Sequence, residues 1–204
     1  MTEPSAYSEA VRVALPTAVR LQIVTTTPAP PEGDGWLHEI KHDGHRPIAI
    51  VPGRGQLKLL SRNGFDRTPL FRGPFRKLSA AGRTIALDGE IAVPDDRVVT
   101  HIDLLNDALA GRNPDRLTYF AFDLLYVDEH DLRLCPIRSA RLYFGRYSTK
   151  SDASGSCMSI TSLDAAGGCS SACARPSRNV WVACIAVVSR AIGSRQNAIR
   201  SASL

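Results

Sequence analysis

No glutamate follows Glu129 and no lysine follows Lys150 in this 204-residue chain, although both are frequent before those points. An ordinary folded segment of that length carries several of each. Residues 149–204 therefore do not read as a continuation of what precedes them. Histidine also stops, at His130. Cysteine is scarce in the body of the chain, where Cys135 stands alone, and Cys157, Cys169, Cys173 and Cys184 all come later. Cys169 and Cys173 do not have the Cys-x-x-Cys spacing of a zinc site and no histidine follows to complete one, so free thiols are expected. No run of about 18 apolar residues occurs, which argues against a spanning helix. The amino terminus lacks an apolar stretch before a small-residue cleavage site, so no signal peptide is expected and the cytosol is the expected compartment. There is no G-x-x-x-x-G-K-[ST] phosphate loop.

The net charge of +5 invites a nucleic-acid reading, but its location weakens it. Residues 150–204 hold Lys150, Arg175, Arg178, Arg190, Arg195 and Arg200 against Asp152 and Asp164, which leaves the first 149 residues at only +1. A DNA-facing surface there would rest on local clusters such as Arg72–Lys77.

Turn residues and apolar alternation organise the stretch between them. Residues 1–27 are a poorly periodic lead-in, running into the Pro/Gly segment "TPAPPEGDG". Strands are expected at 36–41, 47–51, 56–61, 84–93 and 117–127. Helices are expected over 100–112 and 136–147, with a further helical segment at 67–82 that Pro74 breaks and Gly82 stops. Irregular alternation of strand and helix implies an α+β domain with a mostly antiparallel sheet. Residues 150–204 contain 12 Ser and 10 Ala, and the stretch 151–174 has no clear period. One apolar run there, 180–188, reads as a buried strand.

Four strings carry possible chemistry. In "EIKHDGHR", Asp43-Gly44 reads either as a β-hairpin turn or as part of a site in which Lys41 is an amine nucleophile. Attack by a lysine needs its neutral form, and attack on a phosphate needs a cation such as Arg46 or Mg²⁺ at the developing oxyanion. In "LLSRNGFD", Asn63-Gly64 is a turn signal, and Arg62 either is solvated or meets a phosphate or ribose. In "LDGEIAV", a strand places Asp88 and Glu90 on one face. Two carboxylates inside an apolar strand are costly unless paired, hydrogen-bonded to a sugar, or metal-bound. In "YFAFDLLYVD", period two puts Phe120, Phe122 and Leu124 on one face and Asp123 on the other. These rings either pack in the core or offer one face to a purine.

In this order and spacing the strings resemble the adenylation domain of ATP-dependent DNA ligases. "PPEGDGWLHEIKHDGHR" is most similar to the ligase module of bacterial end-joining ligases of the LigD type, and the resemblance covers roughly residues 28–146. It implies a nucleotidyltransferase α+β domain. It implies ATP and Mg²⁺ (or Mn²⁺) as cofactors and nicked or broken double-stranded DNA as partner, with a role in DNA repair, recombination and non-homologous end joining. Lys41 would accept AMP from ATP, and the nucleotide would pass to a 5′-phosphate before the 3′-hydroxyl seals the strand. Arg46 and Arg62 would contact ribose or phosphate, Glu39 the base, and Glu90 the ribose or metal, with Asp88 and Glu90 as the metal pair. Phe122 would stack on adenine.

The resemblance also implies a later Glu-Gly-x-x-x-Lys strand, a Lys-x-Lys motif and an OB domain. With no Glu after residue 129 and no Lys after residue 150, neither motif can be present in these residues. The expected organisation is thus a lead-in (1–27), a partial adenylation domain (28–148) and an unrelated tail (149–204), disordered or translated from a shifted frame. A coding sequence with no Glu-Gly-x-x-x-Lys string in either alternative frame after codon 148 would sink the frameshift idea. Weak or absent ligase activity follows. Two alternatives are a non-catalytic nucleotide- or DNA-binding remnant and another Lys-x-Asp-Gly nucleotidyltransferase, of the RNA-ligase or capping type.

Overall fold

A computed structural model of the chain describes residues 10–21, 24–27, 29, 36–53, 56–75, 83–137 and 140, together with strands at 158–160, 187–191 and 198–201. The strands are β1 (Val11–Arg12), β2 (Val24–Thr27), β3 (Trp36–Ile40), β4 (Ile48–Pro52), β5 (Lys58–Leu60), β6 (Thr84–Ala92), β7 (Thr118–Val127), β8 (His130–Asp131), β9 (Met158–Ile160), β10 (Val187–Ala191) and β11 (Ala198–Ser201). Two α-helices, α1 (Thr68–Phe75) and α2 (Ile102–Leu109), and a 3-10 turn at Pro114–Arg116 complete the set. The main sheet runs β1-β8-β7-β6-β4-β5, every one of these pairs antiparallel, and β9 adds to β7 in parallel. A second sheet runs β2-β11-β10-β3. The α+β architecture with mostly antiparallel sheet is the one the sequence pattern predicts.

The main sheet buries side chains on both faces. Along β6, Leu87 and Ile91 enter a core shared with Phe71 and Phe75 of α1 and Leu105 and Ala108 of α2. Ala86 points the other way, into a smaller cluster with Ile48, Ile50, Leu125, Tyr126 and Leu21 of the lead-in. Leu15 and Val19 pack against that cluster, and the Tyr126 hydroxyl donates to the Val13 carbonyl at 2.9 Å. The lead-in is thus bound to the sheet, its poor periodicity reflecting an extended segment laid across strands.

Pro74 does not break the helix before it. α1 runs through to Phe75, because a proline this near a helix end removes only one terminal hydrogen bond. Of the expected helix at 136–147, Ile137 and Ala140 are helical and the other positions, apart from Pro136, lie outside the described residues. So do the cysteines after Cys135, residues 76–77 of the basic cluster and most of the apolar run 180–188. The described tail strands pair with the body, β10 with β3 and β9 with Tyr119–Ala121 of β7. Among the described residues no helix is long and apolar enough to cross a membrane.

Candidate functional site

The Asp43-Gly44 turn does not close a hairpin. The strand before it, β3, pairs with β10 in the second sheet, and the strand after it, β4, pairs with β5 and β6 in the main sheet. Residues 41–47 therefore form a crossing between sheets. Asp-Gly matches hairpin statistics because it favours a sharp bend, and the bend serves here to change sheets.

That crossing is held at successive residues. His42 is buried and its ring lies flat on Phe120, with centroids 3.9 Å apart and planes 16° from parallel. The Asp43 amide donates to the Thr100 hydroxyl at 2.7 Å. His45 and Ile91 exchange two backbone hydrogen bonds, at 2.9 and 2.7 Å. Between them Gly44 passes so close to β6 that a Cβ would stand 2.1 Å from the Ile91 carbonyl oxygen. Lys41 leaves this crossing with its ammonium 3.6 Å from Asp43, about a quarter exposed.

Beneath it, Asp88 and Glu90 share the face of β6 that the period of two predicts. Asp88 is 4% exposed and grips Arg46 with both oxygens, Nε at 3.0 Å and Nη2 at 2.7 Å. Burial works against the Arg46 charge, but Asp88 and Glu90 more than restore it and hold its pKa above the usual value. The guanidinium also sits 5.2 Å from the centre of the Phe122 ring. Glu90 is pushed up to about 7, chiefly by burial, with Arg46, Lys41 and the Gly44 amide pulling it down. His42 is pushed down to about 4 by burial and by the neighbouring Lys41. It is neutral at ordinary pH.

The period-two reading of β7 needs correction. β7 carries two irregularities against β6: Gly89 faces Ala121 while Asp88 faces Asp123, and Leu87 faces Leu124 while Ala86 faces Tyr126. Phe122 and Leu125 are the extra residues. Each bulge flips the parity of everything beyond it. Asp123 therefore shares the Asp88 face and is buried there, while Leu124 joins the helix-side core. Phe120 and Phe122 both serve the site, as stack partner of His42 and neighbour of Arg46.

The structure thus brings Lys41, Arg46, Asp88, Glu90 and Phe122 together. Glu39, buried at 3% exposure, is two residues before Lys41 on β3. Arg62 is not drawn into the cluster; it is exposed in the turn where Gly64 takes φ +80. His42, Thr100 and Asp123 were not legible as site residues, because each is placed by a contact with an element distant in sequence. Of the expected metal pair, Asp88 accepts hydrogen bonds from Arg46 through both oxygens, and Glu90 lies on the same face of β6. Among the described residues no group of three His, Cys, Asp or Glu could hold an ion. Replacing Asp88 with alanine is expected to cost about 2 kcal/mol, since it strips a charged hydrogen-bond partner from an arginine that water still partly reaches. The urea midpoint measures this, and an unchanged midpoint would show the pair to be dispensable.

A family model described as "ATP dependent DNA ligase domain" matches residues 17–164. The multifunctional non-homologous end joining protein LigD of Pseudomonas aeruginosa is 30% identical over 125 residues, 60% of this chain and 14% of that protein. The multifunctional non-homologous end joining DNA repair protein LigD of Mycobacterium tuberculosis is 35% identical over 96 residues, 46% of this chain and 12% of that one. The chain therefore spans about one seventh of the length of such relatives. In fold it is similar to the crystal structure of the ligase domain from M. tuberculosis LigD, with a TM-score of 0.63 at 20% identity, covering 88% of this chain and 58% of that one. It is also similar to a mycobacterial DNA ligase D complexed with ATP and MES, with a TM-score of 0.57 at 19% identity. With a family model matched across more than half its residues, and a lysine-bearing crossing set over a buried arginine–aspartate pair, this chain belongs to the ATP-dependent DNA ligase domain family.

Proposed function

We propose that these residues are the nucleotide-handling part of an ATP-dependent DNA ligase and that Lys41 is its AMP acceptor. The observation that carries the reading is the clamped crossing, which fixes Lys41 beside Glu90 and Arg46. In the reaction a neutral Lys41 amine attacks the α-phosphorus of ATP. A P–N bond forms, the bond from that phosphorus to its bridging oxygen breaks, and pyrophosphate leaves. Arg46 supplies positive charge beside the pocket, held by Asp88 so that little reorganisation is needed. Glu90 meets the ribose, Phe122 offers its ring to adenine, Glu39 lies toward the base, and Arg62 reaches phosphate from its turn. Mg²⁺ or Mn²⁺ enters this reading with the triphosphate, with Asp88 and Glu90 as the carboxylates that would face it. Nicked or broken double-stranded DNA is the acceptor substrate, in strand repair and end joining, and the chain works in the cytoplasm. The division into lead-in, ligase core to residue 148 and unrelated tail belongs to the same reading, on composition.

The 204 residues tested as such should form lysyl-AMP only weakly. The later lysines that the resemblance calls for are not among residues 151–204, and such cations each contribute several kcal/mol at a phosphoryl transition state. With α-labelled ATP and Mg²⁺, slow labelling confined to Lys41 is expected, absent from Lys41→Ala and absent with GTP. ATP binding without any label would favour the non-catalytic remnant. Labelling by GTP would favour a capping-type transferase. Neither binding nor label would sink the proposal.

A further inference from the structure

Between the nucleophile and the Asp43-Gly44 bend stands a residue that none of the proposed chemistry uses. His42 is buried, and its imidazole lies flat against Phe120 at 3.9 Å. Phe120 in turn stands opposite Glu90 in the β6–β7 ladder. The contact joins the residue next to Lys41 to the strand that carries Phe122. It is the side-chain anchor nearest Lys41: Asp43 and Gly44 are held through their backbones, and the next side-chain anchors along the crossing are His45 against Phe71 and Arg46 on Asp88.

With His42 pinned inward on Phe120, Lys41 and Asp43 on either side of it meet each other in a 3.6 Å ion pair. A free residue 42 would let this short segment rotate and carry the amine out of line.

We propose that His42 is a positioning residue, which sets the direction of the Lys41 amine by stacking on Phe120. What the position requires is a flat, uncharged ring rather than a titrating imidazole. A protonated ring would be buried beside Lys41 with a second positive charge. The inference rests on Lys41 being the AMP acceptor, and its test is chosen so that the two can fail separately.

Two measurements on the 204-residue chain decide it. The first is the rate of lysyl-AMP formation at saturating ATP, with the ATP dissociation constant measured alongside. His42→Ala should slow the rate by roughly 10- to 100-fold, the scale of a reacting group misplaced by about an ångström, with ATP affinity unchanged. His42→Phe should restore most of the rate. The second measurement needs no nucleotide: competitive acetylation by acetic anhydride, reading Lys41 against exposed Lys58. In His42→Ala the Lys41 yield should rise toward that of Lys58, and in His42→Phe it should match wild type. If His42→Ala does not fold, Phe120→Leu removes the same stack from the other side and should behave as His42→Ala is expected to. If wild type forms no lysyl-AMP, the ligase reading fails while the acetylation pattern still judges His42. Equal acetylation in all variants, or His42→Phe as slow as His42→Ala, overturns the proposal.

Discussion

Gly44→Ala should unfold the site from the inside, at a cost of about 3 kcal/mol. The added Cβ would meet the Ile91 carbonyl oxygen at 2.1 Å and the Ala92 Cβ at 3.0 Å. The first of these is backbone, so no side chain can swing away. Either β6 or the crossing must move, and movement breaks the two His45–Ile91 hydrogen bonds. Each is worth about 1 kcal/mol net, and the strain of an overfilled contact adds a comparable amount. The Gly44 amide that supports the Glu90 carboxylate would be displaced with them. The urea midpoint should fall and lysyl-AMP formation should disappear with it. A Gly44→Ala protein as stable as wild type would show that the crossing does not lie against β6.

Glu90→Gln should stabilise the protein at high pH and leave it unchanged at low pH. Glu90 carries a folded pKa of about 7 against an ordinary 4.5, because burial disfavours its charge. Between those values the folded chain keeps a proton that the unfolded chain has released, so stability falls as pH rises through the window. Above pH 7 the whole cost is present, at most about 3 kcal/mol from the linkage of shift to free energy. Glutamine never ionises and escapes it. The difference in unfolding free energy between variant and wild type should thus be near zero at about pH 4.5 and level off above about 7. His42 acts in the opposite sense. Its folded pKa of about 4 lies below its ordinary 6.5, so its contribution rises with pH between the two. In wild type the two trends oppose each other over the shared interval, and in Glu90→Gln the His42 rise is left exposed. Urea titrations from pH 5 to 8 would read this directly. A difference that does not vary with pH would mean that Glu90 is solvated.

Both predictions concern residues whose identity the sequence announces and whose energetics it hides. Local pattern placed the strands, because alternation is a one-dimensional property that burial enforces residue by residue. β6 was expected at 84–93 and is found at Thr84–Ala92; β7 was expected at 117–127 and is found at Thr118–Val127. The shared face of Asp88 and Glu90 was legible for the same reason. The side of Asp123 was not, since the two bulges in β7 arise from its register with β6, and register is a property of a pair of strands.

The sequence by itself determined the family, through Lys41, Arg62, Glu90 and Phe122 in fixed order, and the nature of the strands that carry them. Those features depend on residue type and spacing along one chain. Only the tertiary structure decided that Asp43-Gly44 bends between sheets instead of closing a hairpin, that Asp88 holds Arg46, and that His42 rests on Phe120. Each of these is a contact between groups more than forty residues apart, or a choice of partner strand. Such contacts are set by which surfaces bury together, and no local periodicity encodes them.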